Sequence, residues 1–137
     1  MKETEMPNEG RARAKTPETR SRQAFDLEER TAAFGESAIA LAKSASMGPV
    51  TMPIVNQLVR ATTSVGANYC EADNAGSKRD FRHKISLCQK EARESMHWMR
   101  MLAAACPELK DGARTLWQEA KELNLIFAAI LRKRAAD

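Results

Sequence analysis

Aromatic residues are scarce in this 137-residue chain, at 5%: four phenylalanines, two tryptophans and one tyrosine. Any core must therefore rest on leucine, isoleucine, valine, methionine and alanine, and an alanine-rich core brings its elements close together. Cysteine is scarcer still. Cys70, Cys88 and Cys106 are an odd number with no Cys-x-x-Cys pair, which argues against a disulfide framework and against a zinc site. They are expected to be small buried thiols. No apolar run approaches the roughly 18 residues that a membrane-spanning helix needs, and the mean hydropathy is −0.51. The first residues are polar and charged, with no apolar stretch of the kind a secretory signal carries, so a cytoplasmic chain with no membrane partner is expected. Period-two alternation, glycine-rich hairpins and internal repeats are also missing, which leaves no basis for a β-sheet. Without strands there is no strand-to-helix phosphate loop either.

The length suits one domain. Residues 1–24 lack apolar periodicity and contain Pro7, Gly10 and Pro17, so they read as a disordered tail that cannot offset the entropy of ordering. From residue 25 to residue 134 the pattern is helical throughout. Leu27, Ala33, Phe34, Ala38, Leu41 and Ala42 follow the spacing of an amphipathic helix that Asp26 can cap and Met47-Gly48-Pro49 ends. A second helix, after Pro53, turns Ile54, Leu58, Ala61, Val65 and Tyr69 inward. Its middle, Ala61 to Ala67, is made of small residues around Gly66 and permits close approach of a neighbouring backbone. Ser77, with Asp80 three residues on, is placed to cap a third helix carrying Phe81, Ile85, Leu87, Cys88, Ala92, Met96, Met99 and Leu102. Pro107 stops it. The last helix, from Pro107 or Glu108 to Lys133, carries Leu109, Leu116, Trp117, Ala120, Leu123, Ile126, Phe127, Ile130 and Leu131. Four such helices with short connections predict an all-α, antiparallel, up-down-up-down four-helix bundle.

Charge is unevenly placed within the formal +4. Between Ser77 and Cys106 stand seven basic residues, Lys78, Arg79, Arg82, Lys84, Lys90, Arg93 and Arg100, against three acidic ones, Asp80, Glu91 and Glu94. Such an excess can attract a polyanion by counterion release and Coulomb steering. Lys78, Arg79, Arg82, Lys84, Lys90 and Arg93 are the candidate nucleic-acid-binding residues; an ordinary solvated helix face is the alternative.

Catalytic chemistry has little to work with. Glu94-x-x-His97, with Glu91 a turn before, has the spacing of a di-iron ligand pair, but no second such motif exists and His83 lies among cations. Ser64 has no histidine near it in sequence, and Cys70 lies beside Glu71 and Asp73, whose charge opposes thiolate formation. No catalytic residue, cofactor or metal is expected. Asn68 and Glu71 are spaced to bond across to the third helix, at Lys90 or Arg93, and Trp98 and Trp117 suit core or interface anchors.

The run Gln57-Leu58-Val59-Arg60-Ala61-Thr62-Thr63-Ser64-Val65-Gly66-Ala67-Asn68-Tyr69-Cys70-Glu71-Ala72 carries a resemblance, together with Ser77 to Lys84 and Lys90-Glu91-Ala92-Arg93-Glu94-Ser95-x-x-Trp98. Over about Phe25 to Arg134 the chain resembles the bacterial four helix bundle proteins encoded by intervening sequences in 23S ribosomal RNA genes. That resemblance implies an antiparallel four-helix protomer assembling into a ring, typically a homopentamer with a central channel. A related branch, the accessory variability determinant of diversity-generating retroelements, serves a reverse transcriptase and nucleic acid through a basic surface. The structural motif positions are then Ser64, Gly66, Asn68, Tyr69 and Glu71, followed by Asp80, Phe81, Lys84, Lys90, Glu91 and Trp98. None has a catalytic assignment in the family. Two functions follow as expectations: a non-enzymatic homo-oligomeric scaffold contacting RNA, DNA or a nucleic-acid enzyme, or an interaction module that binds only protein.

Overall fold

Asp26 starts the first helix, its carboxylate accepting a hydrogen bond from the Glu29 amide at 3.4 Å. From there a computed structural model, which describes residues 26–136, is helical almost without interruption. The elements are α1 (Leu27–Lys43), α2 (Thr51–Asp73), α3 (Lys78–Ala105), a single 3-10 turn (Pro107–Leu109) and α4 (Lys110–Ala136). The expected tail, with Arg11, Arg13, Lys15, Arg20 and Arg22, lies outside the described residues. No helix among the described residues is long and apolar enough to cross a membrane.

Each boundary has a local cause. Ser77 adopts an extended backbone and its hydroxyl accepts from the Asp80 amide at 3.0 Å, which caps α3 as the spacing predicts. α2 begins two residues before Pro53, because the Met52 amide reaches the Gly48 carbonyl at 3.0 Å. Proline is harmless there, since amides of a first turn have no helical acceptor. At the far end of α3 the Cys106 amide makes a last bond to Leu102, and Pro107 then forces the 3-10 turn into α4.

Every neighbouring pair of helices runs antiparallel, as the order of contacts shows. Gly66 lies against Thr31 while Gly35 lies against Thr62 and Thr63, joining α1 and α2. Glu71 pairs with Lys84, Cys88 reaches Val65 and Glu91 pairs with Arg60, joining α2 and α3. Arg82 near the start of α3 meets Leu131 near the end of α4, and Arg30 and Leu41 of α1 meet Glu119 and Gly112 of α4.

The core has two parts. Leu27, Phe34, Val65, Ala72, Ile85, Cys88, Leu123 and Phe127 fill one end, whereas Ala38, Ala42, Val55, Leu58, Met99, Leu102, Cys106 and Ala113 fill the other. Thr62 and Ser95 are fully buried midway, and each spends its hydroxyl on a carbonyl of its own helix, at 2.8 Å in both cases. Buried polar groups satisfied in this way carry little desolvation cost. Two expected core residues differ: Ala33 is exposed, and Ile54 is only half-buried against the core, where Thr51 and Val55 are the buried residues at the start of α2. Cys70 is also exposed, while Cys88 and Cys106 are buried as expected. Burial pushes the Cys88 thiol up to about 12, so it remains protonated and packs as a small apolar group.

Candidate nucleic-acid interface

The six basic residues singled out from the sequence divide into two sets. Arg82 and Lys84 are half-buried and hold the bundle together. Arg82 Nη1 donates to the Leu131 carbonyl at 2.8 Å, and Lys84 Nζ lies 2.5 Å from Glu71 Oε1. Lys78, Arg79, Lys90 and Arg93 are exposed and have no ion pair among the described residues. Helical periodicity explains the split. At 100° per residue the buried line of α3 runs through Ile85, Cys88, Ala92, Ser95, Met99 and Leu102. Arg79, Ser86, Lys90, Arg93, His97 and Arg100 fall opposite it, and all of them are exposed. The acids of α3 lie elsewhere, on the flank toward α2.

That flank carries the most extensive polar network among the described residues. Arg60 of α2 donates to Glu91 at 3.2 and 3.4 Å, to Glu94 at 2.5 Å and to Gln57 at 3.1 Å. Trp98 Nε1 adds a bond to Glu94 at 3.4 Å. Partial burial works against the charge of Glu94, but the bonds from Arg60 and Trp98 outweigh it and hold the carboxyl below its usual range. The same carboxylates raise the Arg60 guanidinium. Glu91 and Glu94, the tempting metal ligands of the Glu-x-x-His spacing, are thus both bonded to one cation, while exposed His97 meets the Trp98 ring edge-on at 4.9 Å. Among the described residues no group of three or more histidine, cysteine or carboxylate side chains is gathered as an ion site.

The motif of α2 is spread over two structural contacts. Gly66 admits Thr31 of α1, with room for a Cβ only 3.4 Å from its hydroxyl. On the other side the Val65 carbonyl faces the Cys88 thiol at 3.6 Å. Asn68 bonds the Ser64 carbonyl of its own helix at 2.9 Å, and Glu71 takes Lys84. The expected cross-bonds from Asn68 and Glu71 to Lys90 or Arg93 are therefore corrected. Lys90 and Arg93 are exposed and make no ion pair with α2, whereas Lys84 lies on the flank that faces it. Tyr69 is half-buried, and its hydroxyl is raised by burial and by the charge of Asp73.

Beside the outer face of α3 the bundle opens a cleft that sequence reasoning missed. It measures about 530 Å³ and is lined by Met99, Arg100 and Ala103 of α3 with Lys110, Ala113, Arg114, Trp117 and Gln118 of α4. Lys121 Nζ sits 5.6 Å from the centre of the Trp117 ring. Trp117 belongs to the apolar stripe of α4, which places it in the core by periodicity. It stands instead at the edge of that stripe, half-buried. The available signal was the spacing of Lys110, Arg114, Trp117, Gln118 and Lys121, which share one helical face.

The molecule is an antiparallel all-α bundle, tied across its α2–α3 flank by an arginine between two glutamates. Residues 29–129 match the family model described as 23S rRNA-intervening sequence protein. The chain belongs to that family. A comparison with curated proteins finds no match. Among solved structures it is similar to a Bacteroides thetaiotaomicron protein of unknown function from the S23 ribosomal protein family. The two are 24% identical, with a TM-score of 0.68 over 77% of this chain and 97% of the other. At that identity the likeness concerns the fold.

Proposed function

We propose that this chain is a non-enzymatic, homo-oligomeric binding protein that contacts RNA or DNA through the outer face of α3. The supporting observation is the row of Arg79, Lys90, Arg93 and Arg100, exposed on one helical face with no carboxylate among them. Such a row attracts phosphates without base specificity. Family membership supports the ring assembly expected from the resemblance, five protomers being the typical number.

Filter binding of labelled duplex DNA and of RNA, repeated over a salt series, tests the nucleic-acid part. Affinity should fall linearly on a log–log plot, with a slope of about 0.7 to 0.9 per phosphate neutralised. Replacing Lys90 and Arg93 together by glutamate should weaken binding about tenfold or more and flatten that slope. Absence of binding at low salt, or binding indifferent to salt, removes nucleic acid as the partner.

A protein-only module is the second reading, and one observation favours it. Met47, Val50 and Met52 are 51–70% exposed around the connection from α1 to α2, an apolar patch at one end of the bundle. Pull-downs before and after nuclease separate the readings, because partners held by protein contact survive the digestion.

A further inference from the structure

We propose that the cleft between α3 and α4 is a pocket for one nucleotide of a single strand, its base laid on Trp117 and its phosphate held by Arg100, Lys110 and Arg114. The inference rests on the reading of the α3 face as a nucleic-acid surface and names the form of nucleic acid that it takes.

Three features of the cleft select this ligand. The first is uncompensated charge. Arg100, Lys110 and Arg114 line one cavity, all three are exposed, and none has an ion pair among the described residues. The nearest acids in sequence, Glu108 and Asp111, are not part of the lining. Three cations around a common space repel one another, and an anion between them turns that repulsion into attraction. The second is the floor. Met99 and Ala113 are each 1% exposed and close the bottom of the cleft. Trp117 beside them is half-buried, and the exposed Lys121 side chain, whose ammonium lies over the indole, swings aside when a base stacks there. A bare phosphate or an acidic side chain gains nothing from such a wall, whereas a flat base stacks on it. The third is continuity. Arg100 is the last cation of the α3 row, about 15 Å along the helix from Lys90 at 1.5 Å per residue. A strand whose phosphates follow Lys90 and Arg93 is thereby delivered to the mouth of the cleft. Gln118 at the rim adds an amide with both donor and acceptor capacity toward a base edge.

A duplex meets the same cations differently. Its bases are stacked on one another and cannot reach the indole, so it engages the row but leaves the cleft empty. That difference supplies the test. In the full chain carrying Trp98→Phe, Trp117 is the only indole, and its emission is followed during titration with a short oligothymidine and, separately, with a duplex of equal length. The single strand should quench Trp117 and the duplex should not. Trp117→Leu should weaken single-strand binding about tenfold and leave duplex binding unchanged. Arg114→Glu, at an exposed position, should likewise reduce single-strand affinity more than duplex affinity, and it reads the pocket even where Trp117→Leu perturbs folding. If both nucleic acids bind but neither quenches, or if both substitutions weaken the two equally, the pocket assignment falls while the basic face survives. If neither binds at low salt, the reading of the face itself has failed and the pocket with it. Quenching by an acidic peptide equal to that by the oligonucleotide also overturns the assignment.

Discussion

Arg60 concentrates more polar contacts than any other described side chain, and their energetic sign can be worked out. The Glu94 carboxyl is held below its usual range in the folded chain. Its contribution is therefore fully present above the ordinary carboxylate pKa and is lost as the pH falls through the lower, folded value. Glu91 shares the same cation and is only 11% exposed along its side chain. Removing the guanidinium leaves that carboxylate with little solvent and no partner. Arg60→Met should cost about 1–3 kcal/mol near neutral pH. The gap between variant and wild type should close as the pH drops through the carboxylate range, because protonated glutamates no longer need the arginine. Urea unfolding across that range measures it, and a gap that stays constant into acid would show that the arginine acts through packing alone. The residues of this network are visible in the sequence, but not their pairing. Spacing alone suggested Lys90 or Arg93 for Glu71, but the cation it takes is Lys84, on the flank of α3 that faces α2.

Between α1 and α2 the connection is of another kind. Among the described residues no ion pair links them, and the backbones meet at two glycines instead. A Cβ on Gly35 would sit 3.6 Å from the backbone of α2, an ordinary contact, whereas one on Gly66 would sit 3.4 Å from the Thr31 hydroxyl and 3.5 Å from its carbonyl. Alanine at position 35 should thus be neutral or stabilising by up to about 1 kcal/mol, through its better helix propensity. Leucine at position 66 must carry its side chain past the Thr31 backbone and should destabilise by about 1–3 kcal/mol. Thermal unfolding of the two variants compares them, and equal tolerance of both would mean that the helices are not in close register there. Small residues around Gly66 announced this approach, just as Asp26, Ser77 and Pro107 announced the helix boundaries. A 3.6-residue period and a capping hydroxyl are local signals. The α3–α4 cleft is not local: half of it comes from each helix, and the fold-back at Pro107 brings Arg100 beside Arg114. An alanine such as Ala33 misleads for a related reason, since its small apolar side chain fits the buried stripe and the exposed one alike.

Among the described residues the charges are polarised. α1 neighbours α2 and α4 and lies diagonally across from α3, and it exposes Glu28, Glu29 and Glu36. A polyanion approaching the bundle is repelled on the α1 side and drawn toward α3, so the field orients it before contact. The proposed ring therefore needs a contact between copies that leaves this basic face open. Light scattering of the full chain at micromolar concentrations should accordingly return the mass of several protomers, and a monomer mass throughout would eliminate the ring. The thiols bear on how such experiments can be read. Cys88 and Cys106 are sealed inside and Cys70 alone faces outward, on the groove that α2 shares with α1. Each folded chain therefore offers a single attachment point for a maleimide dye, across the bundle from the Trp117 cleft, and that label can report on neighbouring copies without entering the surface where a nucleotide would lie.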